Sequence, residues 1–250
     1  MYLRTILSLF ALGLLATGLS AQTTTFAQFM QAQQFQKLLV FDNNEQSGSS
    51  AAATFQTANS PSGIAVDFEF NSDLGFSGAL AALNGPQNAN FIMQSSTGSA
   101  AAGSAPFFNQ PIDVGSLEFR RTTPVDGKDL LLKVTFSGAV LVTFNASGAE
   151  LASENGSTIT YSSDFLTFGS PTSNNWAIAL SGINPPSTLD TNGLLKDFTA
   201  AGTGTFDTAT TMIPSIIAIP EPKLYSAIAA LLGLAAVSFR RQTRSALHAS

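Results

Sequence analysis

Apolar and polar residues alternate along much of this chain. In residues 64–70, apolar Ile, Val, Phe and Phe occupy every second position, with Ala, Asp and Glu between them. A period of two is typical of a β-strand with one buried face. The alternation returns over residues 130–136 and resumes after Ser137-Gly138, so residues 129–145 predict two strands joined by a tight turn.

Shorter segments with the same signature predict further strands, and clusters of Gly, Pro and Asn predict the turns between them. The strand segments are 38–41, 158–162, 164–168, 175–181 and 198–207, and the turn clusters are 59–63, 84–86 and 184–186. Many short strands at such spacing predict an all-β fold, an antiparallel β-sandwich or jelly-roll-like single domain. We assign this domain to residues 22–212, and residues 213–218 to a linker or last strand.

Two parts of the domain depart from this pattern. Phe26, Phe29 and Met30 lie at helical spacing in a Gln-rich segment, which predicts a short helix. The runs 47–53 and 95–105 consist mainly of small residues that have little to bury, which predicts mobile loops or loop edges.

Residues 1–21 have the composition of a secretory signal peptide. One charge at Arg4 precedes an apolar stretch over residues 6–16, and small residues follow it. Cleavage is predicted between Ala21 and Gln22. The chain contains no cysteine, which excludes disulfides and lipid attachment to an amino-terminal Cys.

A second hydrophobic segment lies near the carboxyl terminus. Residues 224–239 form an apolar run, which as a helix is about 24 Å long against a hydrocarbon core of about 30 Å. The flanking basic residues have long side chains that reach the headgroups, so the run predicts a transmembrane helix. Arg240, Arg241 and Arg244 follow it and predict a cytoplasmic end, with residues 245–250 as a cytoplasmic tail.

A Pro-Glu-Pro triplet precedes this apolar run. The order of Pro-Glu-Pro, apolar helix and arginine cluster resembles the PEP-CTERM sorting domain of exported proteins in Gram-negative bacteria. The resemblance covers about residues 219–241, and we assign residues 219–244 to the sorting signal. It implies that an exosortase, a membrane-embedded cysteine transpeptidase, recognises this signal and removes the tail. The residues that match the motif are Pro220, Glu221, Pro222, Arg240 and Arg241.

The resemblance further implies a location and partners. The domain is expected to cross the inner membrane, to be held there transiently by the carboxyl-terminal helix, and to end at the cell surface or in the extracellular matrix. Proteins with this tail are commonly associated with extracellular polysaccharide, so polysaccharide is an expected partner besides the exosortase. A permanent, uncleaved anchor that holds a periplasmic adhesion domain is the alternative interpretation of the same residues.

The part between the two hydrophobic ends is acidic. Residues 22–218 contain fifteen acidic and six basic residues, a net charge of −9. Such a balance disfavours nucleic acid as a partner. Nearly all aromatic residues of this part are Phe, with Trp176 and Tyr161 as the exceptions. We therefore expect the aromatic rings, including Trp176 in its alternating strand, to fill the core.

The sequence disfavours most enzymatic chemistry. His248 is the single histidine and lies beyond the predicted transmembrane helix, and there is no cysteine. Ser-His-Asp triads, Cys-His pairs and histidine-ligated zinc are therefore excluded for the exported part. A Ser-x-x-Lys motif and a glycine-rich phosphate loop are missing from the sequence as well. We predict a non-catalytic exported protein of the cell surface or extracellular matrix, without metal or cofactor.

Three groups of polar residues in the predicted domain are candidate functional sites, with ordinary surface residues as the alternative. Asp67 and Glu69 lie two apart on one predicted strand, about 7 Å from each other, which is a separation used by glycoside hydrolases. They keep a carbohydrate-binding or carbohydrate-cleaving domain as the alternative to ordinary surface residues. Residues 42–45 and 126–129 offer oxygen ligands for calcium without the spacing of an EF-hand loop, and solvated turns are the simpler interpretation. The charged residues within 118–121 predict surface charges that pair locally.

Overall fold

The computed structural model describes residues 23–33, 36–44, 52–60, 62–145, 147–169, 173–209 and 212–214. The predicted signal peptide, the sorting signal with its transmembrane helix, and the cytoplasmic tail lie outside the described residues. These assignments remain predictions.

The described residues form thirteen β-strands and two short 3₁₀ turns, at Ser72–Leu74 and Gly78–Leu83. The strands are β1 (Thr24–Gln31), β2 (Leu39–Asp42), β3 (Ala53–Thr57), β4 (Ile64–Phe70), β5 (Gln87–Thr97), β6 (Ala102–Ser104), β7 (Phe107–Val125), β8 (Lys128–Thr143), β9 (Gly148–Ser162), β10 (Leu166–Phe168), β11 (Asn174–Asn184), β12 (Phe198–Thr208) and β13 (Met212–Pro214).

The main sheet closes on itself. Strands β5 and β12 each pair with one long strand on one edge, β7 and β11 respectively. On their other edges two shorter strands lie end to end: β4 and β3 along β5, and β1 and β2 along β12. Because β1 pairs with β4 and β2 pairs with β3, the ladder runs unbroken through β12, β1, β4, β5, β7, β8, β9 and β11 and back to β12.

Every pairing in this sheet is antiparallel, which confirms the prediction of an antiparallel all-β domain. Hydrogen bonds also connect the two walls of the sheet at both edges. Two separately stacked sheets do not need such a connection. Closure leaves few unpaired backbone groups along the sheet, because a strand that is paired on both sides offers no edge to another chain.

The prediction of a helix near Phe26 is wrong, because the segment is strand β1. The register of β1 against β12 shifts between Thr25 and Ala27, which is a β-bulge. The bulge turns both Phe26 and Ala27 inward, after which alternation resumes with Phe29 buried and Met30 exposed. A single extra residue therefore produced the spacing that imitated a helical period.

The prediction of a hairpin at Ser137-Gly138 is also wrong. Residues 128–143 form one continuous strand, β8, and the register against β9 shifts between Ser137 and Ala139. Phe136 faces inward before the shift, and Leu141 faces inward after it. The inward-facing positions change from even-numbered to odd-numbered residues at Gly138. This change comes from a bulge within one strand rather than from a turn between two strands.

The prediction of a mobile loop over residues 95–105 fails for much of its length. Strand β5 continues to Thr97, and β6 at Ala102–Ser104 pairs with β7. Small residues are needed here for close packing: a side chain on Gly115 of β7 would collide with Ser95 and with the ring of Phe136. Ser95 is buried, and its hydroxyl donates to the carbonyl of Phe55 at 2.8 Å.

Aromatic rings fill the inside of the closed sheet, as the sequence predicted. Phe119 lies among several of them, with ring centroids 4.6 Å from Phe91, 5.0 Å from Phe29 and 5.0 Å from Phe68. Such contacts combine a large buried area with favourable ring geometry. The largest fully buried side chains are Trp176, Phe26, Phe29, Phe41, Phe55, Phe68, Phe70, Phe91, Phe119, Phe165, Phe198 and Phe206.

The described chain enters and leaves the domain at one end. Thr24, the first residue of β1, pairs with Thr208, the last residue of β12. Strand β13 pairs with β10, and Phe168 of β10 packs on Phe26 of β1 with ring centroids 5.5 Å apart. We call this the entry end. Strand β11 starts beside Thr208 and runs to the turn between β8 and β9, which is described at residues 144, 145 and 147 and lies at the opposite, far end.

Replacing a ring of the core tests the dependence of the fold on aromatic packing. We expect Phe119→Ala to lower the free energy of unfolding by about 3–5 kcal/mol, because the cavity cannot close around the surrounding rings. Phe107→Ala is the matched control: this ring is 61% exposed, and we expect a change within about 0.5 kcal/mol. Urea unfolding followed by the fluorescence of Trp176 measures both. Equal effects of the two variants would contradict the packing described here.

Candidate functional site

The predicted sorting and processing residues cannot be placed in the fold. Ala21, Gln22 and the whole signal from residue 219 to residue 244 lie outside the described residues. Within the described ranges no helix is long and apolar enough to span a bilayer. The candidate sites among the described residues are therefore those on the domain.

Asp67 and Glu69 lie on the outer face of β4, as the alternation predicted. Both are partly buried, and the strand neighbours of Asp67 are Met30 on β1 and Asn88 on β5. Glu69 is opposite Gln28, whose side-chain Nε2 donates to the Glu69 Oε2 at 3.1 Å. The carboxylate of Glu69 is thus held by a neutral amide rather than by a cation.

A small groove adjoins Glu69 at the entry end. Its volume is about 260 Å³, and it lies where the bulge of β1 faces the end of β4. The Thr25 hydroxyl donates to Asp207 at 2.5 Å, and the Asn71 side-chain amide donates to the Thr25 carbonyl at 3.0 Å. The groove is lined by Thr25, Ala27, Gln28, Glu69, Phe70, Asn71 and Ser72.

The chemistry of this groove suits a hydroxyl-bearing ligand. A carboxylate, two side-chain amides and two hydroxyls supply both donors and acceptors in a small area. Several of these groups are already held by neighbours, which reduces the entropy lost when a ligand binds. The sequence indicated Glu69 but not the groove, because its other side chains come from β1 and from the turn after β4.

Charge is distributed unevenly over the outer surface. Strands β11, β12, β1 and β4 form adjacent walls that contain Asp67, Glu69 and Asp207 and no Lys or Arg. The ion pairs found among the described residues lie instead on β7 and β8. The wall beside the groove therefore carries negative charge without a compensating cation.

The ion pairs on β7 and β8 form one network around Glu118. Arg120 contacts Glu118 at 2.5 Å and Asp129 at 2.7 Å, and Lys133 approaches Glu118 at 3.4 Å. The hydrogen bond with Glu118 is the main reason that the pKa of Arg120 is raised above its ordinary value. The predicted local pairing of these charges is confirmed, except that Arg121 is not part of the network. Partly exposed pairs of this kind contribute little to stability.

Of the two segments predicted as possible sources of calcium ligands, the structure describes residues 42–44 and 126–129, and Glu45 lies outside the described residues. The Asp42 carboxylate accepts from the backbone N–H of Asn44 at 2.9 Å, and Asp197 accepts from the N–H of Asn43 at 2.9 Å. Residues 126–129 form the β7–β8 hairpin, in which Asp126 and Gly127 have positive φ angles of 50° and 74°. Within the described ranges, no three acidic, His or Cys side chains cluster as a metal site.

Among the described residues, the two aromatic residues other than Phe lie inside the domain. Trp176 is 1% exposed and packs on Phe136 with ring centroids 4.8 Å apart. Tyr161 is also buried, and its hydroxyl donates to the carbonyls of Asn175 and Asp207. Neither ring presents a flat face to a saccharide. Tyr161 instead ties β9 to β11 and β12 at the entry end.

Comparisons with protein-family models, with curated proteins and with solved structures found no match to this chain.

Tyr161 gives the domain a testable dependence on pH. Burial raises the pKa of its phenol well above the ordinary value, with a further contribution from the nearby Asp207. In the unfolded chain the phenol ionises near pH 10, while the folded protein keeps the proton. Stability from this group is thus complete below about pH 10 and falls above it by about 1.4 kcal/mol per pH unit.

We expect Tyr161→Phe to remove this additional loss of stability at high pH. Unfolding free energies of both proteins between about pH 9 and pH 11 measure the difference in slope. The variant at neutral pH serves as its own reference, since it shows what the hydroxyl's hydrogen bonds contribute there. Parallel slopes for the two proteins would mean that Tyr161 titrates normally in the folded state.

Proposed function

We propose that this chain is a non-catalytic protein of the cell surface or extracellular matrix. In this proposal a signal peptide directs it across the inner membrane, a carboxyl-terminal helix holds it there transiently, and an exosortase processes it at Pro220-Glu221-Pro222. Its partners are the exosortase during processing and extracellular polysaccharide afterwards. The proposal includes no catalytic residue, metal or cofactor, and no nucleic acid.

The sequence supports this proposal at both ends of the chain. The predicted signal peptide, with cleavage between Ala21 and Gln22, directs export. The Pro-Glu-Pro triplet, the apolar run and the arginines resemble a sorting signal in order and composition. The small number of charged side chains and the abundance of Ser, Thr, Asn and Gln suit a domain that is hydrated without strong charge.

The observation that carries the proposal furthest is the common end at which the described chain enters and leaves. Thr24 pairs with Thr208 at the entry end, and β13 leads to the carboxyl-terminal segment from the same end. A domain held through either terminal segment is thus held at one end. The outer walls and the far end are the surfaces that we propose for partners, as a surface or matrix protein requires.

The mature protein isolated from its native cells provides the direct test. We expect intact mass and terminal sequencing to give a chain that starts near Gln22 and ends between Pro220 and Lys223. Replacing Pro220-Glu221-Pro222 with alanines is expected to retain the tail. Alanines in place of Ser245, Leu247 and His248, which lie beyond the predicted signal, serve as a control for any change near the carboxyl terminus. Mass beyond that of the polypeptide would reveal an attached group.

One result would replace this proposal with the permanent anchor. If Ser250 is present in a membrane-bound product from native cells, the tail is not removed. The domain would then be an anchored periplasmic adhesion or scaffold protein.

A second candidate function, the binding or cleavage of carbohydrate, is favoured by the groove beside Glu69. Its amides, hydroxyls and carboxylate match the hydroxyl groups of a saccharide, and Asp67 lies on the same face of β4. Two carboxylates at this spacing also meet a basic requirement of glycoside hydrolysis. The groove contains no exposed aromatic ring on which a sugar would stack, and for this reason the candidate stands second.

Alanine substitution separates the two candidates. Under the leading proposal we expect Asp67→Ala and Glu69→Ala to leave turnover of the native polysaccharide unchanged and stability within about 0.5 kcal/mol. Glu150→Ala, an exposed carboxylate on β9, is the matched control. Loss of turnover in folded Asp67→Ala or Glu69→Ala, with the control unaffected, would favour the enzyme.

A further inference from the structure

We propose that Asn145 is a site of N-linked glycosylation in the exported protein. Asn145-Ala146-Ser147 has the form Asn-x-Ser, which is the acceptor pattern for a saccharide on the asparagine amide. The inference depends on the proposed export, because the acceptor pattern is meaningful for a protein that leaves the cytoplasm. A chain rich in Asn and Ser contains this pattern by chance, so the proposal is based on the contacts around Asn145.

The first structural observation is the geometry of the acceptor turn. Asn145 and Ser147 are exposed in the turn between β8 and β9. The Asn145 Oδ1 accepts from the backbone N–H of Ser147 at 2.8 Å and from the Ser147 hydroxyl at 3.2 Å. The hydroxyl required by the pattern therefore contacts the amide that would be modified.

These contacts affect the reactivity of the amide. An amide nitrogen is a poor nucleophile because its lone pair is delocalised into the carbonyl. Two donors on Oδ1 polarise the group, so that a proton is lost more readily from Nδ2. Among the described residues Nδ2 of Asn145 donates no hydrogen bond. The atom that must react is thus available, while the oxygen beside it is engaged.

Backbone hydrogen bonds hold the described residues on either side of Asn145. The carbonyl of Ser147 accepts from the N–H of Ile183 at 3.1 Å, and the N–H of Phe144 donates to Gly148 at 3.2 Å. These bonds fix the turn to β11 and across its own base. It lies at the far end, away from the point at which the described chain enters and leaves, so a transferase approaches it without displacing a strand.

Exposed aromatic rings near the turn supply an independent observation. Phe144 is 44% exposed and Phe107 is 61% exposed, and both lie at the far end. The space above Gly148 is bounded by the ring of Phe144 at 3.2 Å and by the amide nitrogen of Asn145 at 3.1 Å, measured from an ideal Cβ position. Ring and amide are therefore neighbours, and the apolar face of a first sugar on Asn145 would cover the ring of Phe144.

The modification is a group transfer that requires a glycosyl donor. The donor that we assign is an oligosaccharide on a polyprenyl pyrophosphate, used by a transferase on the outer side of the inner membrane. The bond from Nδ2 of Asn145 to the anomeric carbon forms, and the bond from that carbon to the pyrophosphate oxygen breaks. Nδ2 gives one proton to a base of the transferase, and the lipid pyrophosphate leaves with the bonding electron pair.

The test uses full-length protein expressed in its native cells, followed by mass spectrometry of proteolytic peptides with fragmentation that retains the modification. We expect a saccharide mass on Asn145 in the natural protein. The modification is expected to be lost in Asn145→Gln and in Ser147→Ala, and retained in Ser147→Thr, which restores the hydroxyl. Asn192→Gln, an exposed turn asparagine followed by Gly193-Leu194, is the matched control and should keep the modification.

Different results contradict the glycosylation site and the proposed export. A chain that starts near Gln22 but carries an unmodified Asn145 overturns the glycosylation site alone. Saccharide found on Asn155, within the second Asn-x-Ser pattern, or on Ser and Thr hydroxyls but not on Asn145, also overturns the assignment. A cytoplasmic protein that retains residues 1–21 overturns the proposed export, and with it the inference.

Discussion

Aromatic packing inside a closed hydrogen-bond ladder is the constraint on which the rest of this structure depends. A ladder that returns to its first strand leaves a fixed internal space, and side chains must fill it at close to crystalline density. Large rings are matched with glycines on the neighbouring strand: Phe29 is paired with Gly204, and Phe136 with Gly115. An added Cβ on Gly204 would lie 2.8 Å from the Ala177 carbonyl.

This constraint also explains how far the sequence predicted the fold. Strand β4 keeps strict alternation from end to end, so its bounds and its buried face followed from the pattern. Strands β1 and β8 contain bulges, and after each bulge the alternation of inward and outward side chains is shifted by one residue. A prediction that assumes a fixed period of two cannot follow such a shift. Strand β5 was missed because polar or small residues such as Gln87 and Thr97 occupy some of its inward positions.

The candidate sites show the same division between local pattern and tertiary contact. Alternation was enough to place Asp67 and Glu69 on one outer face of β4. The groove beside Glu69 was not predictable, since Thr25 reaches it through the bulge of β1 and Asn71 through the turn that follows β4. The absence of cations from four neighbouring strands likewise becomes visible only when β1 and β4 are known to lie beside β11 and β12.

The proposed processing and the proposed modification of the exported protein concern opposite ends of the domain. Strands β1 and β13 bring the described chain in and out at the entry end, so the proposed processing of the terminal segments concerns that end. The turn that contains Asn145 is fixed to β11 at the far end. The closely packed core of aromatic rings separates the two ends of the domain. A saccharide at the far end therefore displaces no strand near Thr24 or Pro214. The proposed tail removal and the proposed glycosylation are therefore expected to proceed independently, in either order.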